Sequence, residues 1–196
     1  MLTRRRFISA TVAASISMAI TPSAGFALED YPHEDPSRPG TRLDALIRAI
    51  DPSVDLYNPH TQEHEIIKFY GSGGYNKDGL DRINYMFRDW RQDKVAAVDI
   101  RVIWGVAALR SAAIKQSLSG KACLNSGYRT KKTNASLPGA ARKSFHLKAK
   151  AADVVFEGAR VRDVAAYAEW LQIGGTGVYG NRFTHIDSGP ARKWFG

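Results

Sequence analysis

The stretch SFHLKAKAADVV, residues 144–155, sets a histidine seven residues ahead of an aspartate that opens a run of apolar, β-branched residues. That run makes residues 151–156 a strand with Asp153 close to its start. Immediately upstream, CLNSGYRTKKTNASLPGAARK holds a second β-type run over 122–128 and then a long basic loop, a kind of connection that often carries function. Downstream, GGTGVYGNRFTHIDSG reads as a Gly-bounded strand pair, 178–179 and 183–187. Residues i and i+2 of a strand share a face, so His185 and Asp187 point into one cleft. If the strands are neighbours, His146, Asp153 and His185 converge.

Of the five histidines, His33 lies in a Pro-rich lead-in and His60 and His64 flank a turn, which leaves His146 and His185 for chemistry. Two imidazoles and one carboxylate suit a tetrahedral zinc ion whose fourth position stays open to water, and an open position marks a catalytic site. Zinc lowers the pKa of such a water toward about 7 and polarises a carbonyl oxygen, as amide hydrolysis at neutral pH requires. Taken alone, His-x6-Asp arises often by chance, and a satisfied structural histidine is then the simpler reading.

The remainder of the chain supplies the frame. Residues 54–58 and 65–70 are short β-type runs joined by PHTQEH, which predicts a hairpin. After the turn-rich GSGGYNK, a helix starts with Asp78 as its N-cap and carries Leu80, Ile83, Phe87 and Trp90 at helical spacing. A second helix fits residues 100–118, with Val102, Ile103, Val106, Leu109 and Ile114 as its apolar face and Gly120 as its stop. VRDVAAYAEWLQ is a third, with Val164, Tyr167, Ala168 and Leu171 on one side. The expected class is α+β: a small, mainly antiparallel sheet with helices on one side.

At 196 residues without internal repeats the chain fits one domain. Its start, MLTRRRFISATVAASISMAITPSAGFA, combines a basic twin-arginine segment, an apolar run and a small-residue stop, and reads as a twin-arginine signal peptide over residues 1–27. The apolar run ends near Ile20, too short and too interrupted by Ser and Thr for a stable membrane span. Residues 28–50 read as a lead-in and 51–196 as the domain. The leader contains three arginines and no acid, so its removal lowers the formal net charge from +9 to +6. A basic exported protein meets anionic membrane surfaces or acidic wall polymers; nucleic acid is excluded as a partner by export and by the lack of a Lys/Arg run with interleaved aromatics. Cys123 stands alone, so no internal disulfide forms, and its place in KACLNSGY is that of an inert, buried cysteine. Nothing in the sequence points to a particular oligomeric state.

NSGYRTKKTN, SFHLKAKAAD and GVYGNRFTHIDSGPARKW follow one another in order, and together with FYGSGGYNKDGLDRINYMFRDWR and the region of VIWGVAALR they resemble the YcbK-like (MepK) murein endopeptidases, of the lysostaphin/D-Ala-D-Ala metallopeptidase/hedgehog group. The resemblance spans nearly the whole mature chain. It implies a hedgehog/DD-peptidase-like zinc peptidase fold and a peptidoglycan substrate. The group's Ser-x-His-x-x-Gly-x-Ala-x-Asp motif falls on Ser144, His146, Ala149, Ala151 and Asp153, and its later His on His185, which implies one Zn2+ held by His146, Asp153 and His185. The Ser-Gly-Tyr-Arg motif falls on Ser126, Gly127, Tyr128 and Arg129, and implies that Arg129 faces the scissile carbonyl and holds the developing oxyanion. Ser126, Tyr128, Ser144 and Tyr179 are candidates to line the substrate cleft.

Two positions depart from the pattern. Ala149 stands where the motif has Gly, a cost of about 1 kcal/mol if that position needs positive φ. Arg182 stands where several relatives have an acid three residues before the last His, which leaves Asp187 either as general base or as a residue that orients a ligand imidazole. Hydrolysis of peptidoglycan stem peptides or their cross-links is the leading function; a non-catalytic zinc-containing wall-binding module and a D,D- or L,D-carboxypeptidase are the alternatives.

Overall fold

The computed structural model describes residues 40–196. The signal peptide read over 1–27, and the lead-in as far as residue 39, lie outside the described residues. Structure starts ahead of the expected boundary at residue 51. Helix α1 (Arg42–Leu46) is capped by Thr41, whose hydroxyl accepts from the Asp44 N–H, and it buries Leu43 completely. Residues 42–50, read as lead-in, therefore belong to the packed body: Leu46, Ile47 and Ile50 pack against the core beside the fully buried Leu43, in a stretch too short for its apolar pattern to mark an element in the sequence.

Strands β1 (Ser53–Asn58) and β2 (Glu63–Lys68) form the expected hairpin. A two-residue ribbon, β3 (Tyr70–Gly71) and β4 (Gly74–Tyr75), leads into helix α2 (Lys77–Met86). Its N-cap is Asn76, whose side chain accepts from the Gly79 N–H at 3.2 Å; Asp78 sits in the first turn, where a carboxylate still favours the helix dipole. The helix stops at Met86, so Trp90 lies beyond it and stacks on His60 instead.

Helix α3 (Ile100–Lys115) is not the one-faced helix that the apolar spacing predicts. Residues 100–109 are buried without interruption, Arg101 among them, as expected of a helix enclosed on all sides. Arg101 is tolerated there because it donates to the carbonyls of Gln172 and Ile173 and pairs with Asp44. Ile114, expected in the core, is exposed, since the helix outruns the sheet at that end. It ends at Lys115, and Ser117, with φ 62°, takes the left-handed position expected of Gly120.

The remaining elements are β5 (Ala122–Ser126), α4 (Lys131–Ser136), a 3-10 turn (Phe145–Lys148), β6 (Ala151–Phe156), α5 (Val161–Leu171), β7 (Gly175–Tyr179), β8 (Phe183–Asp187) and β9 (Arg192–Phe195). Seven strands make one sheet in the order β2-β1-β5-β6-β8-β7-β9. It is mostly but not wholly antiparallel: β1/β5 and β7/β9 run parallel, the first because α2 and α3 intervene as a crossover. The sheet is thus larger than expected and gains β9, whose RKWF is two charges followed by two aromatics and carries no alternating strand pattern. Alternate residues of β6, namely Ala152, Val154 and Phe156, join the core together with α3 and α5, which pack on one face of the sheet. Asp153, between them, is turned to the opposite face.

Asp89 ties the turn after α2 to the loop that carries α4. Its buried carboxylate accepts from the backbone N–H and the hydroxyl of Thr130, at 2.9 and 2.8 Å. Burial pushes its pKa up, but the hydrogen bonds it accepts, from the Thr130 hydroxyl and backbone and from the Arg91 backbone, outweigh this and hold it below the usual value. A folded pKa below the unfolded one stabilises the fold above about pH 4, and that contribution fades as pH falls through the folded value. Asp89→Asn is expected to cost about 2 kcal/mol at pH 7 and progressively less as the pH is lowered below about 4, read from urea midpoints of the two proteins across that range.

Candidate active site

The site is built on one row of residues that crosses the sheet. Ser126 lies opposite Asp153, Asp153 opposite His185, His185 opposite Gly177, and Gly177 beside Trp194, so β5, β6, β8, β7 and β9 each contribute one position to the same face. A Cβ on Gly177 would stand 2.6 Å from the Trp194 ring. Its absence lets the indole reach His185, with ring centroids 5.1 Å apart, and Trp194 Nε1 donates to the Tyr179 hydroxyl at 3.1 Å.

His146 arrives from the 3-10 turn. Ser144 caps that turn, its Oγ accepting from the His146 N–H at 3.3 Å, and Ala149 closes it in the left-handed region, at φ 52° and ψ 31°. This is the conformation for which the motif Gly is suited, so Ala149 carries strain without breaking the turn. Ala149→Gly is expected to stabilise the protein by about 1 kcal/mol, measured as a rise in the urea midpoint with unchanged m-value.

The Ser-Gly-Tyr-Arg segment serves His146 from behind. A Cβ on Gly127 would meet the Phe87 carbonyl oxygen at 2.5 Å, so only glycine allows the chain to pass there, and the Gly127 carbonyl accepts from His146 Nδ1 at 2.6 Å. Tyr128 donates its backbone N–H to Phe87 O, and Arg129 donates its own to His146 O. Tyr128 does not line the cleft: it borders a small gap shared with Met86 and Trp90, because the chain turns away from the sheet face at Gly127.

With Nδ1–H of His146 committed to Gly127, its Nε2 presents a lone pair. His185 is the mirror case: its Nε2–H donates to Asp187 Oδ2 at 3.0 Å, leaving Nδ1 as acceptor. His146 Nε2, His185 Nδ1 and Asp153 Oδ1 then meet at 3.2, 3.2 and 2.8 Å from one another. Three acceptors that converge without a donor among them call for a cation. The spacing agrees with the edge of about 3.3 Å that a tetrahedron with ligand bonds near 2.0–2.1 Å requires. All three residues are buried, and they form a group able to hold a metal ion.

The local charges follow from that packing. Burial disfavours the Asp153 carboxylate, but the two imidazoles outweigh it and hold its pKa well below the usual range. Burial pushes the His146 imidazole down. Burial also opposes protonation of His185, yet the carboxylates of Asp153 and Asp187 at its two ring nitrogens favour the protonated form and raise its pKa, so the Nδ1 lone pair is the one a cation would expose by displacing that proton. Arg129 donates through Nε to Ser126 Oγ at 2.7 Å and pairs with Asp153 Oδ2; burial lowers its pKa, Asp153 opposes that shift, and the like charge of Arg91 adds to it.

Asp187 stands behind His185, fully buried. Oδ1 accepts from the Gly175 and Gly189 N–H groups and from Arg192, and Oδ2 accepts from His185 and again from Arg192 at 2.6 Å. The residues that close this second layer, Arg192 and Trp194, were not singled out as site residues. Arg192 lies five residues beyond Asp187 across an SGPA turn, a spacing that has meaning only once β9 is seen beside β7. His60 and His64 take no part: His64 pairs with Asp55 at 2.7 Å.

In front of His146, Asp153 and His185 a cleft of about 810 Å³ runs between residues 137–145 and the tip of β7–β8. Ser126, Arg129, Ser144 and Tyr179 line it, with Phe145, Phe183 and Trp194 as aromatic walls.

The family model for the peptidoglycan L,D-endopeptidase MepK matches residues 48–194. Among curated proteins, the peptidoglycan L,D-endopeptidase MepK of Escherichia coli (strain K12) is 35% identical over 149 residues, covering 72% of this chain and 79% of that protein. The same values hold for the MepK of Shigella flexneri. The probable peptidoglycan L,D-endopeptidase MepK of Haemophilus influenzae is 32% identical over 164 residues, covering 78% and 84%. No solved structure matches the chain significantly. With that coverage and identity, the chain belongs to the MepK family of peptidases, the M15 group of metallopeptidases.

Proposed function

We propose that this protein is a zinc-dependent peptidoglycan endopeptidase, exported by the twin-arginine route to the periplasm or cell envelope, that hydrolyses L,D amide bonds in stem-peptide cross-links. The observation that carries the reading is the convergence of three buried lone pairs, from His146, Asp153 and His185, at the floor of an open cleft. A zinc ion held by these atoms supplies a Lewis acid and lowers the pKa of a water.

The chain's own residues do the rest. Gly127 O and Asp187 each take one imidazole proton and so fix the tautomers that turn His146 Nε2 and His185 Nδ1 inward. Arg129 engages only Oδ2 of Asp153, which leaves Oδ1 free to ligate and keeps a half-buried guanidinium at the cleft floor, where it holds the oxyanion as the scissile carbonyl becomes tetrahedral. Both Asp187 oxygens are already occupied by five donors, which supports the orienting role over that of general base. The intact ligand set and the tolerated turn at Ala149 favour the enzyme over a non-catalytic wall-binding module.

The test is a muropeptide digest by the zinc-loaded mature protein, read by mass spectrometry. Conversion of cross-linked dimers to monomers is expected; shortening of monomers alone would assign a carboxypeptidase, and binding to sacculi without any released peptide would assign the binding module. Among the described residues no helix is long and apolar enough to cross a membrane.

A further inference from the structure

Among the described residues, the cleft that faces His146, Asp153 and His185 is lined by five cations, Arg91, Arg129, Lys143, Arg182 and Arg192, against a single carboxylate, Asp153. Two of the five are neutralised locally, Arg129 by Asp153 and Arg192 by Asp187. Arg91, Lys143 and Arg182 are exposed and have no carboxylate partner among the described residues. Arg91 and Arg182 lie against their neighbouring aromatic rings, Trp90 and Phe183, at 4.2 and 5.9 Å. The rest of the basic loop differs: Lys150 pairs with Asp99 at 3.3 Å, and the exposed Arg142 and Lys148 are not among the residues that line the cleft. A one-sign lining around aromatic walls focuses potential on whatever enters, and a guanidinium matches a carboxylate bidentately.

Resting on the peptidase reading, we infer that Arg91 and Arg182, with Lys143, form a carboxylate-binding rim that selects stem peptides whose carboxylates near the scissile amide are free and ionised over the same peptides with those groups amidated. The substrate class is a polyanionic peptide, and Arg182 is thereby a specificity residue at the position where several relatives have an acid.

The experiment compares two synthetic cross-linked dimers that differ only in carboxylate versus carboxamide, with the zinc-loaded mature chain. The free-carboxylate dimer is expected to have about tenfold higher kcat/KM. In the double variant Arg91→Gln/Arg182→Gln that ratio falls to within about twofold of unity, and in wild type it shrinks severalfold as salt rises from about 0.05 to 0.5 M. The double variant Arg142→Gln/Lys148→Gln removes the same charge outside the cleft and keeps the ratio. Equal loss of the ratio in both double variants, its survival in the first, or a wild-type preference for the amidated dimer would overturn the inference. Hydrolysis of neither dimer would overturn the peptidase reading alone. The rim is then read by calorimetric binding of the corresponding free and amidated monomers, where tenfold tighter binding of the free form upholds it and equal affinities reject it.

Discussion

His146→Ala is expected to empty the site of zinc and to reduce dimer hydrolysis by about 10³-fold or more, while the fold survives. His146 brings one of the three inward lone pairs, and its loss leaves a two-donor site, too few for stable zinc. The backbone of residue 146, which accepts from Arg129 N–H and Ala149 N–H, is untouched by the substitution, so the turn and the Arg129 position are retained. Elemental analysis for zinc, a muropeptide digest and the far-ultraviolet dichroism of the variant check the three parts. Full zinc content, or hydrolysis within tenfold of wild type, would refute the assignment of His146 as a ligand.

Asp187→Asn is the second large effect, and it separates two roles for one residue. An amide in place of the carboxylate cannot accept from His185 Nε2–H, Arg192, Gly175 and Gly189 together, and it must turn an N–H toward at least one donor. Arg192 loses its charge partner, and His185 loses the hydrogen bond that holds Nδ1 inward. The expected cost is about 2–3 kcal/mol in stability, below the usual figure for a buried pair because Arg192 is 40% exposed. Zinc affinity is expected to fall about 10–100-fold. If Asp187 orients His185, activity recovers when zinc is supplied in excess of the weakened affinity; a general base would leave turnover low at saturating zinc. Parallel titrations of zinc content and of kcat in the variant distinguish the two.

The elements legible in the sequence were those with local patterns. β6 over residues 151–156 and β8 over 183–187 have the bounds expected, because β-branched runs closed by glycine or turn residues need no distant partner to be recognised. The hairpin of β1 and β2 and helix α5 were legible for the same reason. The three residues that converge, His146, Asp153 and His185, were legible because histidines are few and the motifs fall in order along the chain. Where local pattern was silent or misleading, tertiary context decided. β9 has no strand pattern and exists because β7 offers it an edge. Arg101 sits in the middle of a buried helix because the carbonyls at the end of α5 and Asp44 are there to receive it. Tyr128, adjacent in sequence to site residues, is carried away from the cleft by the turn at Gly127.

The sequence by itself determined which side chains are available for chemistry here and the strand or turn on which each one rides, since periodicity, turn residues and ligand spacing are properties of neighbours along the chain. Only the tertiary structure decided that Asp153 and His185 stand directly opposite, that both oxygens of Asp187 are closed by His185, Arg192 and two backbone N–H groups, and that three of the cleft's cations have no acid beside them among the described residues. Register across β5, β6, β8, β7 and β9 couples residues from 126 to 194, and such pairings are settled by the burial of the opposite face against α3 and α5.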